Sequence, residues 1–188
     1  MSNPEFIIYT GPMFGGKTTR LLSEIERYRH KGKAILAFKP TIDSRYYDEY
    51  IVTHNGLKVF AKKILHAEEM LLTLDEGCSD NQIVVVDEAF MIKDIGKILP
   101  IIFQKGWTVL ASTLQLSASG RVFDEVEKIL PWATKVVVCP AVCTMCSNDA
   151  FYTFRKVDGL EEIAVGGNDL YEPRCFGHYF GDKHDKSQ

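Results

Sequence analysis

The stretch Gly11-Pro12-Met13-Phe14-Gly15-Gly16-Lys17-Thr18 fits the pattern G-x-x-x-x-G-K-[ST] at every fixed position. Before it, residues 5–10 form a short apolar, β-branched run; after it, Leu21, Leu22, Ile25 and Tyr28 recur at helical spacing within residues 17–31. Strand, glycine loop and helix in that order let backbone N–H groups and a helix N-terminus wrap a phosphate. The glycines permit the wrap, Lys17 brings positive charge to the β- and γ-phosphates, and the Thr18 hydroxyl can ligate Mg²⁺. The implied ligand of these eight residues is ATP or GTP.

Working outward, residues 34–38 form a second buried-strand pattern closed by Lys39-Pro40, and residues 51–60 carry His54-Asn55-Gly56 between two β-like runs, a hairpin signal. Residues 65–74 and 92–104 read as helices, 121–130 as a weaker one, and 83–86, 108–112 and 135–139 as strands. Strands and helices therefore alternate to about residue 138, in apolar runs suited to a sheet covered on both faces. The expected architecture is α/β, a mainly parallel sheet flanked by helices. From Pro140 onward the character changes: cysteines cluster, and short β-like pieces at 151–155 and 163–165 are separated by glycine-containing turns. This divides the chain into a nucleotide-binding domain, residues 1–138, and a small zinc-ribbon-like subdomain, residues 139–188. The polar tail 181–188 is expected to fray, and residues 114–121 read only as a loop near the pocket.

Val84-Val85-Val86-Asp87-Glu88 places two acids at the carboxyl end of a buried strand, where open α/β sheets bind ligands. Neighbouring residues on a strand point to opposite faces, so the two acids can take different tasks. Asp87 is the candidate Mg²⁺ partner, and Glu88 can orient or deprotonate an attacking nucleophile. Further on, Cys143-x-x-Cys146, 28 intervening residues and Cys175-x-x-His178 form two knuckles able to offer three thiolates and one imidazole to tetrahedral Zn²⁺. Four protein ligands leave no open coordination position, which implies a structural ion. Cys139 and His184 are nearby competitors, but the two-residue spacing favours the chosen set.

The composition excludes several classes. With 46% hydrophobic and 25% charged residues over 188 positions, long disorder and fibrous repeats are ruled out. A net charge of −3, and more acids than bases from Pro140 onward, supply no basic face for nucleic acid. Apolar runs such as 82–86 and 98–103 fall far short of the roughly 20 residues that span a bilayer, and residues 1–5 do not resemble a secretory signal. A cytoplasmic protein is expected, and the five cysteines do not read as a disulfide framework.

Taken together, the phosphate loop, Lys39-Pro40-x-x-Asp43-x-Arg45-Tyr46, His54, Val86-Asp87-Glu88-Ala89 and Ala141-Val142-Cys143-x-x-Cys146 resemble the type II thymidine kinases. The likeness continues through 150–155, Val165-Gly166-Gly167-Asn168-Asp169-x-Tyr171 and Cys175-x-x-His178, in the family's order. The resemblance implies ATP- and Mg²⁺-dependent phosphorylation of the thymidine 5′-hydroxyl. On it, Glu88 is the general base, Lys17 and Thr18 hold triphosphate and metal, Arg45 steadies the transferring charge, and Asp43 and Asp87 lie near the metal. A lasso anchored in the zinc subdomain closes over the base and reads it largely through main-chain groups. The acceptor contacts it implies are Met13, Asp43, Phe90, Met91, Phe123, Thr153, Val165, Gly166, Gly167 and Tyr171. A homotetramer inhibited by thymidine triphosphate is the family's usual state.

Two departures bear on acceptor choice: Phe90 stands where the family commonly has glutamine, and Leu114-Gln115-Leu116-Ser117-Ala118 replaces an Asp followed by an aromatic. The competing readings are a P-loop ATPase or nucleotide switch whose zinc-ribbon module binds a partner, and a homologue that binds nucleotide without turnover. The intact Lys17, Thr18, Asp87 and Glu88 argue against the latter.

Overall fold

A strand buried on both faces must be apolar at consecutive positions, and residues 6–9 are. Phe6 and Ile8 join one apolar layer, Ile7 and Tyr9 the opposite one, and all four are buried. The computed structural model describes residues 3–42, 49–53, 56–75, 82–158 and 161–185. The chain runs β1 (Phe6–Gly11), α1 (Lys17–His30), β2 (Ala34–Pro40), β3 (Tyr50–Val52), β4 (Lys58–Phe60), β5 (Lys62–Ile64), α2 (Glu68–Asp75) and β6 (Gln82–Val86). A 3₁₀ turn at Ala89–Met91 leads to α3 (Ile95–Gln104), β7 (Thr108–Leu114), α4 (Asp124–Ile129) and β8 (Lys135–Val138). Then come β9 (Ala141–Val142), β10 (Asp149–Ala150), β11 (Tyr152–Arg155), β12 (Tyr171–Arg174) and α5 (Phe176–Asp185).

Six strands form one sheet in the order β5-β2-β6-β7-β1-β8, with every neighbouring pair parallel, as the alternating pattern requires. Helix α1 lays Leu21, Leu22, Ile25 and Tyr28 on one face, against Ile7, Tyr9, Ala37, Val85 and Leu110, and the β3–β4 hairpin adds Ile51 and Val59. On the other face α2 supplies Met70 and Leu74, and α3 supplies Ile95, Ile98, Leu99 and Ile102, against Phe6, Ile8, Phe38, Val84, Val86 and Val109. Truncating one such fully buried Leu to Ala costs about 2–5 kcal/mol, so these layers fix the sheet firmly. Helix α1 stops where Gly32, at φ 71°, turns the chain and donates its N–H to Arg29 O at 2.9 Å. Arg27, Arg29 and His30 in its last turn face the negative end of the helix dipole.

Because the strands are parallel, their carboxyl ends lie along one edge. The pairs Phe38↔Val86, Val86↔Ala111 and Gly11↔Leu114 bring Lys39, Asp87, Ser112 and the phosphate loop to that edge together. Ligands of open α/β sheets bind there.

The structure differs from the sequence reading in three places. β5 is an edge strand where periodicity showed only the approach to a helix; Lys62 and Lys63 give it no apolar alternation, and α2 begins later, at Glu68. Residues 163–165 are not a strand but an irregular segment that lines the pocket. Helix α5 runs to Asp185, into the tail expected to fray. Its start is fixed by aromatic packing: Tyr179 stacks on Tyr152 at 4.8 Å and Phe180 meets Tyr152 edge-on at 5.2 Å. Among the described residues no helix is long and apolar enough to cross a membrane.

Candidate active site

The phosphate loop follows from β1 and from what packs against it. A Cβ on Gly11 or on Gly15 would sit 2.3 Å from the carbonyl oxygen of Cys139, so only glycine fits where the chain leaving β8 passes the loop. Phe14 adopts φ 65°, a left-handed conformation that costs a side-chain-bearing residue about 1–2 kcal/mol and is held by the surrounding fold. Lys17 is buried, and its Nζ donates to the Pro12 carbonyl at 2.7 Å, which holds the ammonium over the loop. Successive N–H groups, the start of α1 and this ammonium together form an anion cradle.

Beside it, the Thr18 hydroxyl lies 3.3 and 3.4 Å from the two carboxylate oxygens of Asp87, the geometry of a hydroxyl and an acid that can share a hydrated cation. Ser112, buried in the carboxyl half of β7, donates its hydroxyl to Asp87 Oδ1 and accepts the Glu88 N–H at 3.1 Å. One serine thus orients both acids, and Glu88 turns out of the strand in a left-handed conformation, φ 50°. Sequence reading passed over Ser112; a buried hydroxyl at the carboxyl end of a central parallel strand was the available signal. It also gave no role to Lys39, which is buried in the same cleft and donates from Nζ to Tyr50 O at 3.1 Å.

Two cavities open at this edge. The larger, about 270 Å³, is bounded by the phosphate loop, Lys17, Thr18, Lys39, Asp87 and the β3–β4 hairpin. The smaller, about 30 Å³, is bounded by Phe90, Met91, Leu114, Phe123, Thr153 and the irregular stretch 162–166. Met13 and Glu88 line both. Phe90 and Phe123 pack at 4.6 Å between ring centres to make the apolar wall, and Thr153 Oγ1 accepts the Met13 N–H at 3.0 Å, tying β11 to the phosphate loop.

Of the expected acceptor contacts, Met13, Phe90, Met91, Phe123, Thr153, Val165, Gly166 and Tyr171 line the smaller cavity, whereas Gly167 lies on the larger, phosphate side. Asp43, Arg45 and His54 lie outside the described residues. Leu114, Ser117, Ala118, Glu162, Ile163 and Ala164 line the smaller cavity without having been singled out as contacts. Residues 114–118 stood out in the sequence only as a departure from the family pattern near the pocket, and their residue types gave no individual contact role.

About the β9–β10 turn and the start of α5, the donor atoms of Cys143, Cys146, Cys175 and His178 all lie within 4.8 Å of one another. Cys146 Sγ to Cys175 Sγ is 3.7 Å, and His178 Nδ1 lies 3.6 Å from Cys143 Sγ and 3.2 Å from Cys175 Sγ. A tetrahedral ion with metal–sulfur bonds of about 2.3 Å and metal–nitrogen bonds of about 2.0–2.1 Å needs edges of roughly 3.8 and 3.5 Å, so the four donors fit Zn²⁺. Burial alone would push the Cys143 thiol up, but main-chain N–H groups of Cys175, Met145 and Cys146 outweigh it and draw it down to about 6, toward the thiolate a metal needs. Cys139 behaves oppositely: burial pushes its thiol up, and it sits in the α1-side core with Sγ 3.6 Å from Val137 O, outside the cluster. The side chain of His184, the other competitor, is outside those described.

Comparison with known proteins bears on the whole chain. A sequence model of the thymidine kinase family matches residues 5–179. A thymidine kinase of Pyrobaculum aerophilum is 33% identical over 180 residues, covering 92% of this chain and 97% of that protein. One of Thermococcus kodakarensis is 34% identical over 184 residues, covering 92% of each.

Proposed function

The chain belongs to the thymidine kinase family, phosphotransferases that act on a small nucleoside, and from that premise we propose that it moves the γ-phosphoryl group of ATP to the 5′-hydroxyl of thymidine. The observation that carries this reading is the meeting of two cavities at Glu88: a phosphate cleft on one side, an apolar, aromatic-walled pocket on the other. An acceptor base seated between Phe90, Phe123 and the lasso would direct its sugar toward Glu88 and the phosphates. Glu88 takes the 5′-hydroxyl proton as the oxygen attacks the γ-phosphorus, and ADP departs. Lys17 and the loop N–H groups hold the phosphate oxygens in line and meet the charge that builds on them. Thr18 and Asp87 would hold Mg²⁺, which when bound neutralises charge between the phosphates. Arg45 and Asp43 carry the roles that the family resemblance implies, steadying the transferring charge and serving the metal.

In the same reading, residues 1–138 form the nucleotide-binding domain and residues 139–188 the zinc subdomain with its lasso. A homotetramer, end-product inhibition by thymidine triphosphate and a cytoplasmic workplace complete it. Zn²⁺ on Cys143, Cys146, Cys175 and His178 is structural: it ties the β9–β10 turn to α5, and α5 supports the lasso. Protein prepared without chelators should carry about one zinc per chain by elemental analysis. Cys146→Ser should cost about 2–4 kcal/mol, a fall in Tm of several degrees for a chain of this size, and activity should drop with it. Zinc-free protein of unchanged thermal stability would remove the metal from the account.

The pocket's specificity is testable by comparing kcat/KM for thymidine, deoxyuridine, deoxycytidine, deoxyadenosine and deoxyguanosine. Recognition through main-chain groups of the lasso does not depend on the glutamine that Phe90 replaces, so thymidine should be preferred. An apolar wall reads one methyl for about 1–3 kcal/mol, so deoxyuridine should follow about 10–200-fold behind, with purines excluded by size. A preference for deoxycytidine or a purine would overturn the substrate while leaving phosphoryl transfer standing.

A further inference from the structure

The smaller cavity, about 30 Å³, holds on the order of two waters and cannot admit a nucleoside without movement of its walls. The wall able to move is the stretch 161–167, which belongs to no helix or strand. One end is held by Arg155, whose Nη2 donates to the carbonyls of Glu161 at 2.9 Å and Glu162 at 3.0 Å, and Tyr171 OH donates to Ala164 O at 2.9 Å. Those anchors come from β11 and β12, the strands that bear the lasso itself, and would travel with it.

A further contact crosses the pocket mouth to the other wall. Residues 117–121 form a tight turn: Ser117 N–H donates to Arg121 O at 2.9 Å, Gly120 N–H to Ser117 O at 3.0 Å, and Arg121 N–H to Ser117 Oγ at 3.1 Å, with Gly120 at φ 89°. The turn sets the Ser117 and Ser119 hydroxyls 2.9 Å apart, and Ser119 donates to Glu162 Oε1 at 2.6 Å. The turn is itself braced, because the buried Tyr179 donates its hydroxyl to Ala118 O at 3.1 Å, and Gln115 Nε2 donates to Phe151 O at 2.6 Å.

We propose that the turn 117–121 is the catch of the lasso, with Ser119 and Glu162 acting as positioning residues that hold it closed on the acceptor. The catch begins within residues 114–118, where this chain departs from the family's Asp and aromatic, and continues past them to Ser119. The Ser117 and Ser119 hydroxyls hold the Glu162 carboxyl below the usual carboxylate range, consistent with both donating to it. Hydroxyl-to-carboxylate bonds at the surface are strong enough to bias the lasso and weak enough to open once per turnover. Its closing favours bound thymidine and leaves phosphoryl transfer, made by Lys17 and Glu88, untouched.

The proposal rests on the thymidine kinase reading only for its kinetic arm. Ser119→Ala in the full-length, zinc-loaded protein should raise the thymidine KM about 3–10-fold, leaving kcat and the ATP KM within twofold, and Ser119→Thr should restore the wild-type KM. Hydrogen exchange of amides 161–167, measured without substrate, should quicken in Ser119→Ala and in Glu162→Ala, and the double variant should add nothing to the larger single effect. Unchanged exchange and KM in both single variants would overturn the catch. So would a Ser119→Ala change that lowers kcat and raises the ATP KM together, because the turn would then shape the whole site. If the wild-type protein phosphorylates no nucleoside, the kinase reading falls, and the exchange result alone decides the catch.

Discussion

Lys17→Ala should reduce phosphoryl transfer at saturating ATP and Mg²⁺ by at least about 10²–10³-fold, the loss typical when one preorganised group that meets transition-state charge is removed. The lysine opens α1 at the mouth of the cradle, buried, with its ammonium held on Pro12 O at 2.7 Å. Water in the cleft can satisfy that carbonyl when the side chain is cut back, and the core side chains of α1, Leu21, Leu22 and Ile25, are not involved. Thermal unfolding should therefore move little while steady-state turnover collapses. A variant that folded normally and turned over at near wild-type rates would mean that the nucleotide binds elsewhere.

Glu88→Gln should lower kcat about 10²–10⁴-fold with the ATP KM little changed, because it removes a proton acceptor and keeps the shape. The residue is aimed by its own backbone: φ 50° turns it off the end of β6, and the Ser112 hydroxyl accepts its N–H. It borders both cavities, whereas Asp87, one residue earlier, borders only the phosphate side. Side-by-side measurement of kcat and of ATP binding by titration separates the two roles. Parallel loss of ATP affinity and turnover in Glu88→Gln would make Glu88 part of the phosphate or metal site instead of the base.

How much of this was legible in the sequence varied with how local the physics is. The strands β1, β6 and β7 announce themselves because burial on both faces demands continuous apolar, β-branched runs, and the phosphate loop because wrapping an anion demands glycine at fixed steps. The glycines at 11 and 15 carry a further requirement that no local rule reveals: the Cys139 carbonyl that excludes a Cβ comes from more than a hundred residues away. β5 was hidden for the same reason, since Lys62 and Lys63 carry no alternation and its pairing with β2 is decided by the sheet. Helix α5 outran its polar sequence because Tyr152, on another element, fixes its first turns. In the site, acids and metal donors were readable because few residue types can do their chemistry. Ser112 and the turn 117–121 were not, since serine is common and its role here depends on which carboxylate the fold brings to it.

The central claim is that phosphate leaves ATP only for a nucleoside, and the direct test is to follow γ-labelled ATP with and without thymidine. With thymidine present, label should appear in thymidine monophosphate, one for each ATP consumed, and without a nucleoside consumption should fall to background. ATP consumed equally fast in the absence of any nucleoside, with the label recovered as inorganic phosphate, would contradict the account and make this chain an ATPase.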